Sequence, residues 1–226
     1  MFSCCCAHSK WKSASPDICE CPVMGSRLTG ALFSRGHNNN LQCDSNCINE
    51  FSNDPSTYFA VLKSAIDEYM QQQSSTKEWD QVYFTGHSLG GALASLLAMD
   101  LMVSTKGRLD VMAVAFGSPG DQLFATRTGL LDKRHSNDGG TFNQSRIHHI
   151  GLSTDPIFSG TCKGQYSLCN LAGYVMETGC HVGAVCLLDE RQQQDPPVYR
   201  INDHRLGSYL KVLQSMPQNA SVKCHY

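Results

Sequence analysis

Long hydrophobic runs are missing from this chain. The longest apolar stretch, Gly90 to Val103, contains Asp100 and falls short of the ~20 residues a membrane helix needs. Charge is also scarce, at 17% of 226 residues against about 25% in an average protein. Eighteen Lys+Arg against twenty Asp+Glu give a net charge of −2. That balance excludes a clustered cationic surface as the default, and with it nucleic acid as the default partner. It also excludes a highly charged disordered chain. Met1 to Lys10 has neither the basic opening nor the apolar run of a signal peptide. There is no internal repeat, and no cysteine between Ile48 and Thr161.

Elsewhere cysteine is abundant. Twelve are present, in two clusters: Cys4, Cys5, Cys6, Cys19, Cys21, Cys43 and Cys47, then Cys162, Cys169, Cys180, Cys186 and Cys224. An even number in clusters suggests disulfides and an oxidising compartment. Zinc is the competing reading, but the spacings contain no paired C-x2-C set. The triplets Asn143-Gln144-Ser145 and Asn219-Ala220-Ser221 are glycosylation sequons that point the same way. Oxidation without an export signal leaves two resolutions. Either the N-terminus is incomplete, or the cysteines are not disulfide-bonded.

Residues 1–50 read as an irregular Cys-rich segment, and residues 51–226 as the regular core of the domain. Asp54-Pro55 predicts a helix start, with Phe59, Leu62, Ile66 and Tyr69 at helical spacing over 55–72. Residues 81–85 predict a buried strand broken by Gly86, and Leu89 to Val103 a helix closed by Gly107. A second strand is predicted over Val111–Phe116, a helix over Gln122–Leu131, and a third strand over Arg146–Leu152. Val182–Leu188 predicts a fourth strand, and Leu206, Tyr209, Leu210 and Leu213 a last helix. Strands alternating with helices imply an α/β fold with a mostly parallel central sheet.

The strongest local signal is Gly86-His87-Ser88-Leu89-Gly90, a G-x-S-x-G pattern between a predicted strand and a predicted helix. There a serine sits on a sharp turn, its hydroxyl exposed as a nucleophile. Side chains at Gly86 and Gly90 are expected to collide with neighbouring backbone. The Leu89 N–H, at the start of the helix, is the expected donor to an oxyanion.

A serine hydroxyl needs an imidazole to take its proton, and a carboxylate to orient that imidazole. The chain order expected for this turn is Ser, then Asp or Glu, then His. Asp155 is favoured as the acid because it follows a strand end. Asp121 is the rival, with an alternative role as N-cap of the helix from Gln122. His204 is favoured as the base, with His181 as the rival. His148 and His149 precede Asp155 and break the order. His87 reads as a packing residue facing away from the site, and His225 as exposed. No metal or organic cofactor is needed for this chemistry.

The stretch Tyr83 to Ser95, containing Gly86-His87-Ser88-Leu89-Gly90-Gly91, resembles the class 3 lipases. Other stretches resemble the autophagy-related lipases among them: Phe2 to Ala7 with its Cys triplet, Phe116 to Asp121, Asp155 to Cys162, Leu171 to Glu177, Cys180-His181 and Asp203-His204-Arg205. The resemblance implies an α/β-hydrolase fold with Ser88, Asp155 and His204 as catalytic residues. It implies hydrolysis of acyl esters in phospholipids and triacylglycerol at a membrane surface, during lysis of autophagic bodies in a vacuole or lysosome. It implies a glycosylated, disulfide-bonded protein of the secretory pathway. It also implies a transmembrane helix, early strands and a second oxyanion donor ahead of the Cys triplet, none of which stands between Met1 and that triplet. The expectation is therefore an N-terminally truncated chain whose activity is impaired. A catalytically dead lipid- or partner-binding relic remains an alternative. So does a non-lipid esterase or acyltransferase, since the same three residues serve all of these.

Overall fold

Val111, Ala113 and Ala115 are buried while the residues between them are half-buried. This is the period-2 pattern of a strand packed more tightly on one face than the other. It occurs in a computed structural model that describes residues 6–8, 41–43, 55, 57–73, 80–131, 143–159, 181–189, 199–217 and 222–225. The chain divides into two compact units, residues 1–78 with 162–177, and residues 79–161 with 178–226.

In the first unit, β1 (Cys6–His8) pairs antiparallel with β2 (Leu41–Cys43), with Cys6 opposite Cys43. Helix α1 spans Tyr58–Gln73. Asp54, the expected cap, lies outside the described residues. The helix starts after Thr57 instead, whose hydroxyl accepts the Ala60 N–H at 3.2 Å and so satisfies one of the orphan donors of the first turn.

The second unit is built on a five-stranded sheet in the order β3-β4-β5-β6-β7. Strands β3 (Gln81–His87), β4 (Asp110–Phe116), β5 (Ile147–Gly151) and β6 (Ala184–Leu187) are parallel. The expected mostly parallel α/β sheet is therefore present. Strand β3 runs past Gly86 to His87, because Gly86 and His87 still pair with Ala115 and Phe116. Helix α2 (Leu89–Ser104) returns the chain against β3 and β4. Apart from Ser95, Asp100 and Ser104 it is apolar around its surface, with Ala92, Leu96, Ala98 and Met99 wholly buried, and a helix of that kind belongs in a core.

Helix α3 (Gln122–Arg127) ends earlier than expected. Gly129 takes φ +71, and its N–H turns back to the Thr126 carbonyl at 3.1 Å. Such a left-handed glycine closes a helix. A 3-10 turn (Ile201–His204) leads into helix α4 (Leu206–Ser215).

The last strand, β7 (Cys224–His225), pairs antiparallel with β6. Cys224 stands opposite Cys186, and a disulfide joins them, the Cα atoms 4.1 Å apart. The disulfide expectation holds at this pair. Cys4, Cys5, Cys19, Cys21, Cys47, Cys162, Cys169 and Cys180 lie outside the described residues, as does the second sequon. Asn143 of the first sequon is exposed before a 3-10 turn, its Oδ1 accepting the Ser145 N–H at 3.0 Å. Among the described residues, no helix is long and apolar enough to cross a membrane.

Candidate active site

Ser88 sits between β3 and α2 with φ 55 and ψ −126. A non-glycine residue in that region carries strain of about 1–3 kcal/mol and persists only where the surroundings hold it. Here the Ser88 N–H donates to the Phe116 carbonyl of the neighbouring strand at 2.9 Å, and the Ser88 carbonyl accepts from Gly91 and Ala92. At Gly86 a Cβ would lie 2.3 Å from the Gly90 backbone, so glycine is required there. Gly90 differs from expectation, because a Cβ on it would meet nothing within 4 Å. It points away from the turn, and the close approach falls to Gly91, whose Cβ would come within 3.2 Å of Ser118 and 3.3 Å of Ala115. Leu89 is the first residue of α2, so its N–H has no intrahelical acceptor.

Asp155 follows β5 and is fully buried. Its Oδ1 accepts the Ile157 N–H at 2.8 Å and the Phe158 N–H at 3.3 Å, a local Asx turn. Its Oδ2 accepts the hydroxyl of Tyr209 at 2.7 Å. Tyr209 is also wholly buried, and its hydroxyl accepts the Leu152 N–H at 3.3 Å. Burial, together with the adjacent Asp155 charge and hydrogen bond, pushes the Tyr209 pKa far above its ordinary value, so it stays a donor. Gly117, at φ +54, makes room for this pair. A Cβ there would lie 2.9 Å from the Tyr209 hydroxyl and 3.1 Å from Asp155 Oδ2.

His204 ends the 3-10 turn before α4. Its Nδ1 stands 2.9 Å from Asp155 Oδ2 and 3.2 Å from Oδ1, and its Nε2 stands 2.8 Å from Ser88 Oγ. Ser88, His204 and Asp155 thus form one continuous hydrogen-bonded line. Two links tie the turn to the Asp155 loop. Thr154 Oγ1 donates to Asp203 at 2.6 Å, and the Arg200 N–H donates to the Thr154 carbonyl at 2.9 Å. Asp189 holds the same loop from β6, accepting both the N–H and the hydroxyl of Ser153 at 2.8 Å.

The rival acid and the rival base meet elsewhere. Asp121 occupies the N-cap position of α3, yet its side chain makes no capping bond. Its carboxylate accepts from Ser95 of α2 and from the Val182 N–H at 2.9 Å, and it faces His149 Nε2 at 3.4 Å. His149 Nδ1 lies 2.8 Å from Ser118 Oγ, and the His181 Nε2–H donates to the Ser118 carbonyl at 3.0 Å. Ser95, Ser118, Asp121 and His149 are all fully buried. This second cluster links α2, the β4–α3 loop, β5 and the approach to β6, and it does not include Ser88. His148 is only half-buried, and His225 is exposed on β7. Gly160 to Cys162, Leu171 to Glu177 and Cys180 lie outside the described residues.

Sequence reasoning missed Tyr209 as a partner of Asp155, since its helical spacing signals only an apolar face. It also missed His87. The side chain does not simply face away, because its Nε2 lies 2.8 Å from the His204 carbonyl oxygen.

Comparison with known proteins agrees with this architecture. Three proteins of the name "Putative lipase ATG15" match the chain along most or all of its length. The protein from Vanderwaltozyma polyspora is 32% identical, covering 100% of this chain and 35% of its own length. The Kluyveromyces lactis protein is 35% identical over 93% of this chain and 33% of its own length. For Saccharomyces cerevisiae strain S288c the figures are 33%, 100% and 38%. The chain thus spans about a third of the length of the curated relatives it matches. Residues 33–157 match the family described as lipase (class 3), a span that holds Ser88 and Asp155 and stops before His204. That span is more than half of the sequence, and the chain belongs to the class 3 lipase family.

Proposed function

We propose that this chain is a serine hydrolase that cleaves acyl esters of membrane phospholipids and triacylglycerol. The observation that carries the proposal is the line from Ser88 Oγ through His204 to Asp155, with contacts of 2.8 and 2.9 Å. In the mechanism, Ser88 Oγ attacks the acyl carbonyl while His204 Nε2 takes its proton. Asp155 accepts the Nδ1–H, which fixes the tautomer and stabilises the imidazolium. The carbonyl oxygen gains negative charge and receives the Leu89 N–H. The tetrahedral species collapses, His204 returns the proton to the leaving alkoxide, and an acyl-Ser88 ester remains. Water, deprotonated by His204, then attacks that ester and frees the fatty acid and Ser88.

The oxidising compartment in this reading is supported by the Cys186–Cys224 disulfide. Action in a vacuole or lysosome, and on autophagic membranes, belongs to the same proposal and rests on the family resemblance.

The test is Ser88→Ala against the unaltered chain. Hydrolysis of a soluble short-chain ester and covalent labelling by a fluorophosphonate should both vanish in the variant while its melting temperature holds. Undiminished hydrolysis in a clean Ser88→Ala preparation would overturn the proposal. Absence of labelling in the unaltered chain would leave a binding relic as the answer. Parallel assays on phospholipid vesicles, emulsified triacylglycerol and the soluble ester test the substrate class. Turnover of the soluble ester alone would refute the lipid assignment.

A further inference from the structure

His87 is the last residue of β3 and the immediate neighbour of Ser88. A carbonyl oxygen only accepts, so the contact at 2.8 Å between its Nε2 and the His204 carbonyl requires the proton on Nε2. The His87 ring lies 5.1 Å from the His204 ring at a tilt of 33°. It also meets Tyr209 edge-on at 5.6 Å. It is thus wedged between the base and the tyrosine that holds the acid. Burial lowers the pKa of His87, although its hydrogen bond to His204 and the Asp155 charge work the other way. The ring is therefore neutral at neutral pH and has a single N–H to give.

His204 needs such a hold. It stands on one 3-10 turn rather than on a strand or a long helix, yet its two nitrogens must meet partners on both sides at 2.8 and 2.9 Å. The links from Thr154 fix that turn relative to the Asp155 loop. Neither of these links reaches β3, the strand that runs into Ser88.

We propose that His87 is a positioning residue whose Nε2–H clamps the His204 carbonyl, tying the peptide that carries the base to the strand that carries the nucleophile. The proposal rests on the reading of Ser88, His204 and Asp155 given above. Because His87 and Ser88 are consecutive, the clamp sets the reach of His204 from the nucleophile's own backbone.

The test compares His87→Gln with His87→Met. The glutamine amide carries an N–H at about the reach of Nε2, and methionine has similar length without a donor. Hydrolysis of a soluble short-chain ester and the rate of fluorophosphonate labelling are measured for both, beside the unaltered chain and Ser88→Ala. His87→Gln should keep most of the activity. His87→Met should lose ~10²-fold in kcat, the scale expected of a displacement of about 1 Å, with KM unchanged. Labelling should slow in parallel. Melting temperatures of the two variants guard against unfolding. If His87→Met does not fold, His87→Asn, whose amide falls short of the carbonyl, replaces it and should show the same loss.

Equal activity in the donor and non-donor variants overturns the clamp. If Ser88→Ala stays active, the reading of the site falls, and the clamp falls with it. If Ser88→Ala is dead while His87→Met matches the unaltered chain, only the clamp falls.

Discussion

Tyr209 donates its hydroxyl to Asp155 Oδ2 at 2.7 Å, the same oxygen that His204 Nδ1 reaches at 2.9 Å. The tyrosine therefore holds the carboxylate oxygen that meets the imidazole. Tyr209→Phe removes that donor and strands the buried Leu152 N–H. The expected cost is about 1–3 kcal/mol of stability, the penalty of an unsatisfied buried polar group. A fall of roughly tenfold in kcat should accompany it, equivalent to ~1.4 kcal/mol in the barrier. Urea unfolding and initial rates on a soluble ester check the two separately.

The two glycines flanking the turn should behave in opposite ways. Gly86→Ala forces a Cβ to 2.3 Å from backbone that cannot retreat, so the variant should fail to fold or lose roughly 3 kcal/mol, the upper end for overpacking. Gly90→Ala adds a methyl group in open space on a helix. It should be neutral, or stabilising by up to about 1 kcal/mol. Thermal melts of the pair decide it, and equal losses would refute the assignment of the close contact.

Asp121 has a pH signature. Burial works to raise its pKa, but the attraction of His149, hydrogen bonds from His149 and Ser95, and the charge of His181 outweigh it and hold the carboxyl below its ordinary value. A depressed folded value means stability that is fully present above the unfolded pKa of about 3.9 and lost as pH falls through the folded one. Asp121→Asn should therefore cost about 1–3 kcal/mol near neutral pH, the scale for hydrogen bonds to a charged group and for leaving a buried donor unsatisfied. That gap should narrow below about pH 4. A gap that stays constant down to pH 2 would contradict an ionised Asp121.

The Cys186–Cys224 bond spans a sequence separation of 38. Loop-closure entropy for that length gives about 4 kcal/mol. A Cys186→Ser/Cys224→Ser double variant should lose stability on that scale. Alkylation without reductant, followed by peptide mass analysis, should find the two segments linked. Free thiols at both positions in material from an oxidising compartment would contradict the bond.

Much of the second unit was legible because its elements advertise themselves locally. Val111, Ala113 and Ala115 alternate, the α2 sequence is mostly apolar, and the glycines near Ser88 mark a turn. The acid and base were harder. Asp155 and Asp121 both follow strands, and His204 and His181 both follow the acid in sequence, so chain order alone left rivals open. The fold gathers Asp121 and His181 with Ser95, Ser118 and His149 in a cluster that does not include Ser88, a grouping of four segments far apart in sequence. No local pattern encodes that grouping. Tyr209 and His87 were invisible as partners for the same reason, since their hydrogen bonds reach Asp155 and His204 across tertiary contacts. Gly90 was misread because a motif glycine was assumed to be a packed one, when the crowding lies at Gly86 and Gly91.

The backbone at Ser88 separates what folding asks for from what it tolerates. At φ 55 glycine is the residue the turn prefers, and Ser88→Gly should raise the melting temperature while leaving the sheet unchanged. Any Cβ at this position works against the backbone's preference, and what serine adds beyond that Cβ is the hydroxyl that meets His204 Nε2 at 2.8 Å.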